Sequence, residues 1–321
     1  MTRIKRYNVY ISSCCENGGI YHCSFDEKNG IKVIDKIPLD RPMYTVINGN
    51  RLYVLLRAAF KNSTDSGLIS FDINKDGKLI NKIDVISTKG EVACHLCVED
   101  EDIYAVNYLS GSFILFPEKV IVHNGKSINE ARQEKAHTHY VTVTPDKKYV
   151  LVTDLGMDKI ITYTRQLEYV CETQVKPGNG PRHLVFSPDG KFVFCANELS
   201  STVTMYKYND GKLSLTDEKS ALPDNYKGES YCAAIRFSNG KIYVSNRGDD
   251  SICEFEYTDK GLKRTRIFPC FGSYPRDFDI IGNVLISTNQ GGSVTLVNLD
   301  TEELMQKIEI ENPLCISYGK I

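Results

Sequence analysis

Five residues carry the charge and proton-transfer capacity expected of a small-molecule site: His139, Arg182, Glu198, Arg247 and Arg276. The guanidinium groups can hold or stabilise an anion, while an imidazole or a carboxylate can move a proton. Two amides, Asn107 and Gln290, and a second imidazole, His137, accompany them. Taken alone, Arg182 and Glu198 read equally well as a structural ion pair, because such pairs also cluster charge. His137-Thr-His139 offers two imidazoles but no third ligand at a recognisable spacing, so neither a metal nor a cofactor is expected. Cys94-His-Leu-Cys97 lies in a strand-like run, not at the start of a helix, and reads as packing.

What could bring these residues together is a repeat. From Gly180 the chain runs through a strand (182–186), a Pro-Asp-Gly turn, and a second strand (192–196). A polar loop, a third strand (202–208), an Asn-Asp-Gly turn and a fourth strand follow. Short β-branched and aromatic runs between Gly, Asp and Asn turns predict an antiparallel meander. Aligned first strands start at Met43, Cys94, His139, Arg182, Ala233, Arg276 and Leu314, with spacings of 51, 45, 43, 51, 43 and 38 residues. That is mostly the period of a propeller blade.

The count closes at the ends of the chain. Pro313–Tyr318 is a first strand with nothing after it, and 8–12, 19–25 and 31–37 are three strands with no first strand before them. Joined, they complete an all-β, seven-bladed propeller of four-stranded antiparallel blades, with the N- and C-terminal strands sharing the last blade and no free sheet edge. One domain over 1–321 is expected. Helix is expected only at 128–136, inside the longest insertion. The chain has no Trp, so the WD40 signature is absent.

This topology places the start of a first strand beside the end of its antiparallel second strand, at one rim. Arg182 is then a neighbour of Glu198, His139 of Asp154, and Arg276 of Gln290, with Arg247 following the second strand of blade five. Side-chain alternation puts His137 and His139 on one strand face. All these groups face one funnel mouth on the ring axis.

Composition narrows the partners. A formal charge of −2 argues against a nucleic-acid or membrane-surface binder. No apolar run approaches a membrane span, and Met1–Tyr7 leads directly into a strand without an apolar leader. The eleven cysteines are therefore expected as reduced thiols of a cytoplasmic protein, monomeric or weakly homo-oligomeric.

Pro181-Arg-His-Leu-Val-Phe-Ser-Pro-Asp-Gly190 and Asn197-Glu-Leu-Ser200 resemble the lactonase family of seven-bladed propellers, which includes propeller-type 6-phosphogluconolactonase and carboxy-muconate cyclase. Supporting stretches fall in order through blades two to six: Cys94-His-Leu, Asn107–Ser112, His137-Thr-His139, Thr153–Gly156, Ser245–Ser251, Tyr274–Phe278 and Asn289-Gln290. Blade one departs, with Leu56-Arg57 where the family pattern has Asn-Glu.

The resemblance implies metal-independent hydrolysis of a small anionic lactone, 6-phosphogluconolactone above all. Arg182 and Arg247 would serve the anion or oxyanion, His139 or Glu198 the base, with Arg276, Gln290, Asn107 and His137 binding substrate. A lactonising cyclase and a non-catalytic binding propeller are the alternatives. The latter would show a mouth blocked by the 57–67 loop or an apolar rim.

Overall fold

Turn chemistry sets the local structure. In blade four, Ser187-Pro-Asp-Gly190 closes the first hairpin. Gly190 N–H donates to the Ser187 carbonyl at 2.9 Å, and Gly190 takes a φ of 69°, which a residue without Cβ adopts freely. Asp210 and Gly211, at φ 47° and 82°, form a two-residue hairpin between Thr202–Asn209 and Lys212–Ser220. Two consecutive positive φ angles match the right-handed twist of the flanking strands.

The computed structural model describes residues 5–320. It shows seven four-stranded antiparallel sheets in a ring and no helix among the described residues. No helix there is long and apolar enough to cross a membrane. The innermost strands are Pro42–Asn48, Ala93–Glu99, Thr138–Val143, Pro181–Phe186, Tyr231–Ser238, Pro275–Ile281 and Pro313–Lys320, numbered here as blades one to seven. Blade seven joins both ends of the chain: Tyr7–Ser13 pairs with Gly19–Asp26 on one side and with Pro313–Lys320 on the other. The expected closure is therefore formed, from Asn8 opposite Gly319 to Ser12 opposite Cys315.

Apolar side chains fill the spaces between blades. Phe194, Met205, Ile235, Val244 and Phe255, all at most 1% exposed, pack blade four on blade five. Residues 128–136, expected as a short helix, are instead irregular turns. Asn129 shapes this segment by accepting the N–H groups of Ala131 and Arg132 at its side chain and of Gln133 at its carbonyl, while the Gln133 amide is buried and donates to the Leu155 carbonyl. A single turn closes on the Asn129 carbonyl, and no helical ladder continues from it.

One irregularity recurs in all seven blades. The register between first and second strands slips by at least one residue at Met43, Cys94, His139, Arg182, Ala233, Arg276 and Leu314. These are the seven positions at which the repeat aligns. A bulge leaves its extra residue outside the ladder and re-aims its side chain.

Candidate active site

The second strand of each blade delivers a second residue to the same rim. In blades two, four, five and six, a buried asparagine at or next to the end of that strand ties the rim together. Asn197 Nδ2 donates to Thr202 Oγ1 at 2.9 Å and Thr204 Oγ1 at 2.7 Å. Asn107 does the same for the Thr88 carbonyl at 3.0 Å and Ser112 Oγ at 3.2 Å. Asn246 and Asn289 make equivalent bonds. The following residue turns toward the mouth: Tyr108, Glu198, Arg247 and Gln290. Its N–H is fixed by a carbonyl beside the first strand, as in Glu198 to Gly180 at 2.7 Å and Tyr108 to Val92 at 3.0 Å.

The mouth is open, with a cavity of about 410 Å³ lined by Met43, Arg57, Val92, Cys94, Tyr108, Leu109, Arg132, His139, Glu198, Arg247 and Arg276. From the 57–67 loop, only Arg57 reaches this lining. Glu198 is the hub. Its Oε2 accepts Arg182 Nε at 2.9 Å and lies 2.9 Å from Arg247 Nη2 and 3.8 Å from His139 Nε2, while Oε1 accepts Arg132 Nη2 at 2.6 Å. Arg182 is further fixed by the Ala233 carbonyl at 2.9 Å and by His183 Nε2 at 3.0 Å. Arg247 lies over the Tyr274 and Tyr231 rings, and its buried Nε–H has no partner among the described residues. Arg276 meets Gln290 Oε1 at 3.4 Å.

Electrostatics separates the two groups considered as bases. Burial alone would raise the Glu198 pKa, but Arg247, Arg182 and Arg132 outweigh it and hold the carboxyl well below its usual range. Burial, reinforced by Arg182 and only partly opposed by Glu198, holds His139 well below 6.5, so its imidazole is neutral at neutral pH. Burial and Arg247 pull Arg182 down to about 9, which leaves it protonated there.

Several expected neighbours are placed differently. Asn107 faces the blade interior, because it matches Asn197 in register and not Glu198; Tyr108 takes the mouth position. His139 does not meet Asp154. That carboxylate accepts the His137 N–H at 2.8 Å and bonds His123 Nδ1 at 2.7 Å. The bulge at His139 also breaks the alternation that would align it with His137. His137 stacks on Tyr108 and bonds the Tyr108 carbonyl at 3.0 Å and Glu134 at 3.1 Å, outside the cavity lining. Arg132 escapes sequence reasoning, since its insertion has no counterpart in other blades. Gly156 lets this insertion dock, because a Cβ there would collide with the Lys135 carbonyl.

Over residues 8–318 the chain matches the family described as "Lactonase, 7-bladed beta-propeller". An uncharacterised protein of Staphylococcus epidermidis is 31% identical over 335 residues, 96% of each chain. The crystal structure of a candidate 6-phosphogluconolactonase from Bacteroides fragilis is similar at a TM-score of 0.88 and 25% identity, covering 99% of both chains. A periplasmic gluconolactonase of Pseudomonas aeruginosa shares the fold, with a TM-score of 0.88 and 22% identity over 98% of this chain and 99% of its own.

Proposed function

Because the chain belongs to the lactonase family of seven-bladed β-propellers, we propose that it hydrolyses a sugar-derived lactone, with 6-phosphogluconolactone to 6-phosphogluconate the favoured reaction. The observation that carries this reading is a neutral, buried imidazole and a buried cation lining an open mouth, His139 and Arg247, with Arg182 just behind them and both guanidinium groups anchored on Glu198. The cationic rim and the unblocked mouth weigh against a purely scaffolding propeller. The Bacteroides fragilis relative, described as a candidate enzyme for the same reaction, supports the choice of substrate.

His139 takes a proton from water as the water oxygen attacks the lactone carbonyl. The carbonyl π pair moves onto oxygen, where Arg182 and Arg247 stabilise the negative charge. Collapse re-forms the carbonyl, breaks the ring C–O bond, and passes the His139 proton to the leaving ring oxygen. The resulting acid then ionises. Glu198 holds both guanidinium groups, and three guanidinium contacts occupy its oxygens, which makes it a positioning residue. The eleven free cysteines fit a reducing, cytoplasmic setting for this chemistry.

The test is hydrolysis of freshly generated 6-phosphogluconolactone, corrected for spontaneous opening. Saturable turnover above background is the expected result. No turnover above background would remove the lactonase reading and leave a binding propeller.

A further inference from the structure

Two guanidinium groups at the mouth have no carboxylate partner. Glu198 engages Arg132, Arg182 and Arg247, all within 2.9 Å. Arg276 has only the Gln290 amide at 3.4 Å, and the Arg57 side chain has no ion pair or hydrogen bond among the described residues. Both line the cavity. They come from blades one and six, which flank blade seven, whereas His139 comes from blade three.

Arg57 reaches this position by the device that delivers Glu198. Its N–H donates to the Arg41 carbonyl at 3.0 Å, as that of Glu198 donates to Gly180 at 2.7 Å. Leu56, which pairs with Pro42 as Asn197 pairs with Pro181, cannot make the asparagine bonds. The Ser66 hydroxyl substitutes, donating to the Arg57 carbonyl at 3.1 Å and accepting the Ala93 N–H at 2.9 Å. Blade one thus places a cation where blade four, on the same backbone, places a carboxylate.

We infer that Arg57 and Arg276 form the subsite for a second anionic group on the substrate, a phosphate monoester carried at the end of the sugar remote from the lactone carbonyl. The inference rests on the lactonase reading above and reassigns the phosphate from Arg182 and Arg247, whose charge is shared with Glu198. An unneutralised pair of guanidinium forks suits a dianion of three exposed oxygens.

The experiment compares 6-phosphogluconolactone with glucono-1,5-lactone, which has the same reacting group and no phosphate. In Arg57→Met the ratio of kcat/KM for the two should fall at least tenfold, chiefly through KM for the phosphorylated lactone. Arg57→Lys should recover part of that ratio. A ratio within twofold of wild type in Arg57→Met overturns the subsite. Thermal denaturation with inorganic phosphate separates this result from failure of the lactonase reading. If wild type opens neither lactone, a phosphate-induced rise in Tm that Arg57→Met abolishes retains the anion subsite, and an equal rise in both proteins removes it.

Discussion

In blade four the bulged residue is Arg182 and the residue after the second strand is Glu198; in blade seven the same places hold Leu314 and Cys14. The backbone is alike in both, down to the N–H bonds of Glu198 to Gly180 at 2.7 Å and of Cys14 to Asn312 at 3.0 Å. The outcomes are opposite. Blade four yields a buried ion pair at 2.9 Å, whereas blade seven places Cys14 Sγ 3.3 Å from Met43 Sδ and buries Leu314 in an apolar cluster. The repeated backbone decides only where a side chain points. Chemistry is written onto blade four at these two places, and in blade seven the same places are left to packing.

Substitutions at these places in the two blades should therefore fail in different ways. Arg182→Ala should cut kcat a hundredfold or more, since losing one donor aimed at developing charge costs about 2.7–4 kcal/mol. The protein should remain folded by circular dichroism. Preserved turnover per folded molecule together with a lowered Tm would reduce Arg182 to a structural role. Leu314→Ala should do the reverse, costing about 2–5 kcal/mol of stability in chemical denaturation with kcat within a few-fold of wild type. A large loss of kcat at unchanged stability would break the division between the two blades.

The histidines beneath the mouth sharpen the contrast by titration. Burial holds His95, His139 and His183 well below 6.5 in the folded state, with Arg182 acting in the same direction. In the unfolded chain they bind protons near pH 6.5, so their stability contribution is intact above that pH and is lost as pH falls below it. Each should remove about 1.4 kcal/mol per pH unit. Urea midpoints at pH 7, 6 and 5 check this, and a flat series would contradict neutral burial. A smaller effect is expected from Glu198→Gln. The Glu198 charge raises the proton affinity of His139, so its removal should move the acid limb of kcat/KM to lower pH. An acid limb that stays in place would reassign the base.

The ring itself was legible in the sequence because turn chemistry is local. Asp210-Gly211 and Ser187-Pro-Asp-Gly190 specify their hairpins without help from the rest of the chain, and seven such hairpin sets leave one closed arrangement. The pairings Arg182–Glu198 and Arg276–Gln290 follow from that topology. Side-chain direction was less legible. A strand read as regular alternation sets His137 beside His139, whereas the bulge at His139 turns them apart. The same bulges shift the mouth position one residue past the asparagine, which is why Asn107 lies in the blade and Tyr108 at the rim. Arg132 depends on Gln133 and Gly156 docking a segment that repeats nowhere else, and no periodic signal marks it.

The sharing of blade seven between the two ends of the chain has a consequence during synthesis. Tyr7–Ser13 is made well before its partner Pro313–Lys320, with the other six blades synthesised in between. At ribosomal rates of about 5–20 residues per second, the emerging protein spends roughly 15–65 seconds as an open arc with an unpaired strand at its leading edge. The hazardous species for this protein is therefore the nascent chain, whose exposed edge can recruit another copy before its own last strand arrives.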